Sequence, residues 1–342
     1  MTALRTLRLG TRGSRLAVIQ SDLVAERLRH LGAEVELVTV VTDGDMRQAD
    51  TEIGEGIFVT ALERELAAGR IDLAVHSAKD VPLKERAGLV IAAFPERADP
   101  RDALVTAGGG ATLTLPPPSH PTKSEPRRRD SGGTQGSRGR SEVAGDGRTL
   151  TPLRRGVTIG TDSPRRAGFA RFARPDASVL PLRGNVDTRL TRLDEGAVDA
   201  LVLAAAGLDR LGVGERIDER LDPGVMTPAP GQGALAVQCR EADAEVFVLL
   251  GRIDDPAVRL AVTAERLVLQ ATGGTCRSPV GALGTVDAGR LLLTAAATSP
   301  DGREGHLLTL EAEATEEAAR LLALKAGIQL LKKVVSLVAG IA

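Results

Sequence analysis

A chain of 342 residues is too long for one ordinary core, and its formal net charge of −1 gives no global argument for nucleic acid or membrane binding. With no Trp, no Tyr and five Phe the core must be aliphatic, and stacking of bases on aromatic side chains is disfavoured. Six of the 44 basic residues are Lys; Arg suits bidentate recognition of carboxylates or phosphates, but codon bias explains such a total equally well, so placement has to decide.

Leu4 to Leu9 is broken by Arg5 and Arg8 and no apolar h-region follows, so the opening does not read as a signal peptide. Leu7 to Gly10 reads as a strand that turns at Thr11-Arg12-Gly13-Ser14 into an amphipathic helix from about Arg15 to Leu31, with Ser14 as N-cap. A helix N-terminus is a ready anion site, and Arg12 and Arg15 flank this one. Glu34 to Val41 reads as a second strand. The polar, glycine-rich stretch Asp43–Gly56 reads as a mobile flap without a Walker signature, and Ile57 to Ala68 as a helix. Ile71 to Val75 is a buried strand running into His76-Ser77-Ala78-Lys79-Asp80-Val81-Pro82, where Pro82 cannot continue a ladder. Ligands of open α/β sheets bind beyond the carboxyl ends of the strands, which would bring Lys79 and Asp80 to a cleft; a solvated strand end is the plain alternative.

Leu89 to Ala93 reads as another strand, and the charged bend from Glu96 to Asp102 suits a domain crossover. From about residue 116 to 149 the chain is rich in Pro, Arg, Gly and Ser, too poor in apolar surface to offset its ordering entropy, and reads as a disordered insertion. Its basic run could touch nucleic acid, but a solvated linker is the simpler reading. Val157 to Gly160 then leads into Thr161-Asp162-Ser163-Pro164-Arg165-Arg166, with Ser163 as N-cap and Pro164 in the first helical turn. This repeats the Arg12/Ser14 design of strand, tight turn, capped helix and arginines at the anion end. Ser178 to Leu182 ends at Arg183, a helix carrying Arg189 and Arg192 follows, and Asp199 to Ala205 and Ala234 to Cys239 are further strands. The last ~90 residues change character to a helix (Pro256 to Gln270), a Gly/Thr/Ser loop holding Cys276, three strands and a closing helix, a small α+β domain. Lys332 and Lys333 interrupt the apolar tail, which reads as a packing or interface helix and not a membrane anchor.

Two matching capped helices with arginines at their starts imply a cleft between similar halves that clamps a ligand bearing several anionic groups. The two cysteines, Cys239 and Cys276, have neither metal spacing nor a disulfide framework, which fits a reducing cytoplasm. Cys239 lies in an apolar run and reads as a core residue. Cys276 lies in a polar loop without a nearby His base, so it reads as an attachment point more readily than as a protease nucleophile.

Val75-His76-Ser77-Ala78-Lys79-Asp80-Val81-Pro82, Gly160-Thr161-Asp162-Ser163-Pro164-Arg165-Arg166, Leu182-Arg183-Gly184-Asn185-Val186-Asp187-Thr188-Arg189, Ala206-Gly207-Leu208 and Gly231-Gln232-Gly233 follow in order, and with the Cys276 loop they resemble the porphobilinogen deaminase (hydroxymethylbilane synthase) family. The resemblance implies an α/β fold of two domains like type II periplasmic binding proteins plus a small C-terminal α+β domain. The expected division is 1–101 with about 229–250, 102–228 with the insertion at about 116–149, and 251–342. It implies a cytoplasmic, monomeric transferase that joins four porphobilinogen molecules head to tail with release of ammonia, on a dipyrromethane cofactor attached to Cys276. No metal, nucleic acid or membrane partner is expected. Residue by residue, Asp80 would be the catalytic carboxylate. Lys79, Asp80, Thr161, Ser163, Arg165 and Arg166 would bind the cofactor, and Arg12, Ser14, Arg183 and Arg189 the substrate or growing chain. Departures from the family pattern are Glu55 and Asp43 in the flap, Thr275 before the cysteine, and the insertion itself. The alternative is a non-catalytic two-lobed binding protein for a polyanionic small molecule.

Overall fold

Apolar runs bounded by turn residues become the strands of two five-stranded sheets, and the chain crosses between the sheets twice. The computed structural model describes residues 6–41, 57–113, 142–143, 149–275 and 277–339. The first lobe contains β1 (Leu7–Arg12), α1 (Arg15–His30), β2 (Val35–Val40), α2 (Ile57–Ala67), β3 (Leu73–Ser77) and β4 (Leu89–Ala93). The second is built from β5 (Asp102–Thr106), the short strands β6 (Ala111–Thr112), β7 (Glu142–Val143) and β8 (Thr149–Pro152), then β9 (Thr158–Gly160), α3 (Pro164–Ala173), β10 (Ser178–Leu180), α4 (Val186–Asp194), β11 (Ala200–Ala204), α5 (Ala205–Arg210) and β12 (Glu219–Arg220). The chain then returns to the first sheet as β13 (Leu235–Arg240) and α6 (Ala244–Gly251).

The sheet orders are β2-β1-β3-β13-β4 and β10-β9-β11-β5-β12. In each, three parallel strands are followed by a strand that arrives by a crossover and runs antiparallel: β13 against β3 and β4, β5 against β11 and β12. The two sheets thus share one topology, and each forms the centre of its own lobe. The C-terminal part is α+β: α7 (Pro256–Ala271) and α8 (Glu316–Ala339) cover the antiparallel sheet of β14 (Val280–Asp287), β15 (Arg290–Thr298) and β16 (Gly305–Glu313). No helix of the described residues is long and apolar enough to cross a membrane.

The cores are aliphatic. Leu9, Leu28, Leu73, Val237 and Leu250 close the first lobe, with Cys239 among them, and Leu104, Ile159 and Val202 lie in the second. Three stretches read from the sequence fall wholly or largely outside the described residues: the flap Asp43–Gly56, most of the insertion, and Cys276. The disordered insertion needs correcting at its end. Glu142 pairs with Leu150 and Val143 with Thr149, so β8 carries a second strand on the side away from β6. The charged bend at Glu96 also ends one residue into a strand, since Asp102 opens β5.

His76, on β3, is buried opposite Ala236 of β13, with the Gln238 side chain beside it; Gln238 Nε2 donates to Glu63 Oε1 of α2 at 3.1 Å. Burial pushes the imidazole down to about 4, opposed by the Gln238 side chain. Because the folded value lies below the ordinary 6.5, the unfolded chain binds the proton first as pH falls. The stability present above about 6.5 is therefore lost progressively between about 6.5 and 4, by roughly 3 kcal/mol. His76→Asn should flatten that part of a denaturant-midpoint profile against pH, and an unchanged slope across this window would rule His76 out as its source.

Candidate active site

Lys79 and Asp80 sit on a single 3-10 turn, Ala78–Asp80, directly after β3. Neighbours on two sides hold its backbone. Ala78 N donates to Ala234 O at 3.0 Å, and Arg266 of α7 donates to Val81 O at 2.9 Å and Pro82 O at 2.7 Å. Gly231 has φ +78°, and a Cβ there would stand 3.1 Å from Ala78 C and Lys79 N, so the crossover can approach the turn only as glycine. Asp80 is exposed at the tip of the turn, where its charge acts on Lys79, Arg166 and Arg189.

Behind the turn lies a buried ionic centre. Asp102 is fully buried and accepts from Arg165 Nη1 at 2.7 Å, Arg166 Nε at 2.8 Å and Gln232 Nε2 at 3.0 Å. Burial alone would raise its carboxyl, but the two guanidiniums outweigh that and hold it at about 2. Burial and then Arg166 draw Lys79 down to about 8, against Asp80 and Asp102. The same two causes draw Arg189 to about 10, against Asp162 and Asp80. Lys79, Arg165, Arg166 and Arg189 thus outnumber Asp80, Asp102 and Asp162 around the centre. Cations lowered by burial and by Arg166 are what an anionic ligand would relieve.

The capping hydroxyls are engaged locally. Ser14 Oγ accepts from Ala17 N at 3.4 Å, Ser163 Oγ from Arg166 N at 3.4 Å, and the buried Thr161 Oγ1 from Ser163 N at 3.2 Å. Arg165, expected to face a ligand, is turned inward: besides Asp102 it donates to Thr227 O at 2.6 Å. Arg183 Nε donates to Asp162 Oδ1 at 3.1 Å, and Arg12 and Arg189 are half-buried. Arg15 reaches the second lobe instead, with Nη2 donating to Leu211 O at 2.9 Å. Cys276 lies outside the described residues, but bonds close on either side of it: Thr275 N to Ser278 Oγ at 2.9 Å and Ser278 N to Thr275 O at 2.9 Å. Among the described residues no group of three or more His, Cys, Asp or Glu could hold a metal ion.

Sequence reasoning missed Asp102, Gln232, Arg266 and Glu265 as parts of this assembly. Glu265 of α7 is fully buried and accepts from Arg97 Nη1 at 2.6 Å, Gly231 N at 2.7 Å and Gly284 N at 2.7 Å, joining the crossovers to the C-terminal domain. The available signal for Gln232 was its position between two glycines, where a polar side chain follows a close backbone approach.

Residues 7–136 and 139–247 match the family model "Porphobilinogen deaminase, dipyromethane cofactor binding domain", and residues 259–332 match "Porphobilinogen deaminase, C-terminal domain". A porphobilinogen deaminase of Acidothermus cellulolyticus is 44% identical over 308 residues, covering 88% of this chain and 81% of that protein. One of Roseiflexus castenholzii is 43% identical over 303 residues, covering 87% and 88%. Among solved structures, the methionine binding protein MetQ superposes with a TM-score of 0.38 at 14% identity, covering 72% of this chain and 89% of that one. Both modules of the family are present in order, on lobes that crowd cations around one exposed aspartate, and the chain belongs to the porphobilinogen deaminase family.

Proposed function

We infer that the chain joins four porphobilinogen molecules head to tail into hydroxymethylbilane, releasing ammonia at each step, on a dipyrromethane attached to Cys276. The observation that carries this reading is the crowding of Lys79, Arg166 and Arg189 beside exposed Asp80, with Lys79 and Arg166 sharing Gln232 Oε1 and Asp80 acting on all three. Each porphobilinogen bears an acetate and a propionate, so carboxylates accumulate as the product grows. Buried Arg189 Nε has no hydrogen-bond partner, which suits it to such a group. In this reading Lys79, Thr161, Ser163, Arg165 and Arg166 hold the cofactor's carboxylates, and Arg12, Ser14, Arg183 and Arg189 those of the substrate and chain. The dipyrromethane, when bound, supplies the pyrrole carbon to which the first substrate is joined. Asp80 supplies negative charge where positive charge spreads onto the substrate's pyrrole nitrogen as ammonia leaves, and it accepts the proton lost as the ring regains aromaticity. The chain works as a cytoplasmic monomer, divided at about residues 101, 228 and 250, with neither nucleic acid nor membrane as partner.

The mass of the denatured chain tests the attachment. It should exceed the sequence mass by two pyrrole units carried on the peptide containing Cys276, and Cys276→Ala should lack them. Cys239 is no rival nucleophile, since it is buried and burial pushes its thiol up to about 11. An adduct on Cys239, or an active chain without any adduct, overturns this reading in favour of another attachment or a plain binding protein.

A further inference from the structure

Gln232 belongs to the crossover that returns the chain to the first lobe, and its side chain is fully buried. A carboxamide has two N–H donors and two acceptor lone pairs, and here all four are used. Nε2 donates to Pro100 O at 2.9 Å and to Asp102 Oδ1 at 3.0 Å, while Oε1 accepts from Lys79 Nζ at 3.3 Å and Arg166 Nη2 at 3.3 Å. The amide cannot be turned over, because a reversed NH2 would face two cations and a reversed oxygen would face a carboxylate and a carbonyl. Its backbone is pinned as well: the carbonyl accepts from Arg97 Nε at 3.1 Å and the N–H donates to Ala229 O at 2.9 Å.

We propose that Gln232 is a positioning residue that holds Lys79 of the first lobe and Arg166 of the second in one fixed pair, adding no negative charge of its own that would compete with a ligand's carboxylates. The proposal rests on the reading that these two cations bind carboxylates. A neutral oxygen solvates two cations without cancelling either, whereas a carboxylate of the same shape would compete with the ligand for them. Lys79 also faces Arg165, Asp80 and Asp102, so its charge is set by three fixed neighbours besides Arg166 and the amide.

The test is the reactivity of Lys79 toward acetic anhydride against pH in the full chain, read by peptide mass spectrometry, which needs neither cofactor nor turnover. The wild-type midpoint is expected near the value of about 8 set by its surroundings. Gln232→Glu, nearly isosteric, should move the midpoint up by about one pH unit or more and raise KM for porphobilinogen roughly tenfold, with kcat changed less, as for one opposed charge-assisted contact. Gln232→Met should move the midpoint down, since the ammonium loses an acceptor. An unmoved Lys79 midpoint in folded Gln232→Glu overturns the proposal, as does a moved midpoint with unchanged KM. Lys79→Met measured beside them tests the underlying reading separately: unaltered porphobilinogen affinity there shows that Lys79 binds no carboxylate, whatever Gln232 does to its titration.

Discussion

Asp80→Asn should keep porphobilinogen binding while lowering turnover by about two to three orders of magnitude, the scale of losing one preorganised charge opposite a developing one. The carboxylate stands at the tip of a turn held by Arg266, Ala234 and the close approach of Gly231, so its position is set before substrate arrives. Its charge already acts on Lys79, Arg166 and Arg189, and Asn removes that charge with little change of shape. Binding should persist because those cations remain; losing Asp80 removes an anion that competes with the ligand for them. Asp80→Glu keeps the charge but displaces it by about one methylene, and should retain partial activity because the reaction depends on position as well as charge. Single-turnover formation of enzyme-bound intermediates separates the effects: the Asn variant should load substrate normally and elongate slowly. Elongation at the wild-type rate would make the carboxylate structural.

The second large effect is on folding. Asp102 is the carboxylate in contact with two buried guanidiniums, and Asp102→Asn keeps its shape while leaving them with no anion in contact. Breaking a buried ion pair from one side costs roughly 3–5 kcal/mol, because the stranded charge keeps its desolvation penalty. A fall of that order is expected in the stability of the second lobe, read from the denaturant transition of the full chain. Adding Arg165→Met should recover part of it, since removing both partners strands less charge than removing one. A loss below about 1 kcal/mol would mean that the arginines are held by something other than Asp102, and that their inward direction is not a folding requirement. The outcome separates structural arginines from ligand-facing ones, which their shared motif does not.

The parts of this protein that were legible in its sequence are those whose physics is local. Ser14 and Ser163 cap their helices by accepting from N–H groups three residues on, so the cap and the first turn are written side by side. The apolar run ending at Val75 had to be a buried strand, and the polar residues after it had to lie at its carboxyl end. Ordered motifs then sufficed for the family, and the family for its dipyrromethane cofactor. The direction in which each arginine points was not legible. Arg165 and Arg166 occupy the start of a helix just as Arg15 does, yet they turn inward because Asp102, 63 and 64 residues away, lies beneath them. Gln232 meets Asp102 across 130 residues, and Arg266 meets the Lys79–Asp80 turn across 185. Such pairings depend on which strands the two crossovers bring together, and a buried charge takes whatever partner the packed fold places within reach. Composition and spacing identify the groups that need partners; the tertiary structure alone decides which partners they receive, because desolvation is fixed by the whole surrounding shell and not by the neighbours in sequence.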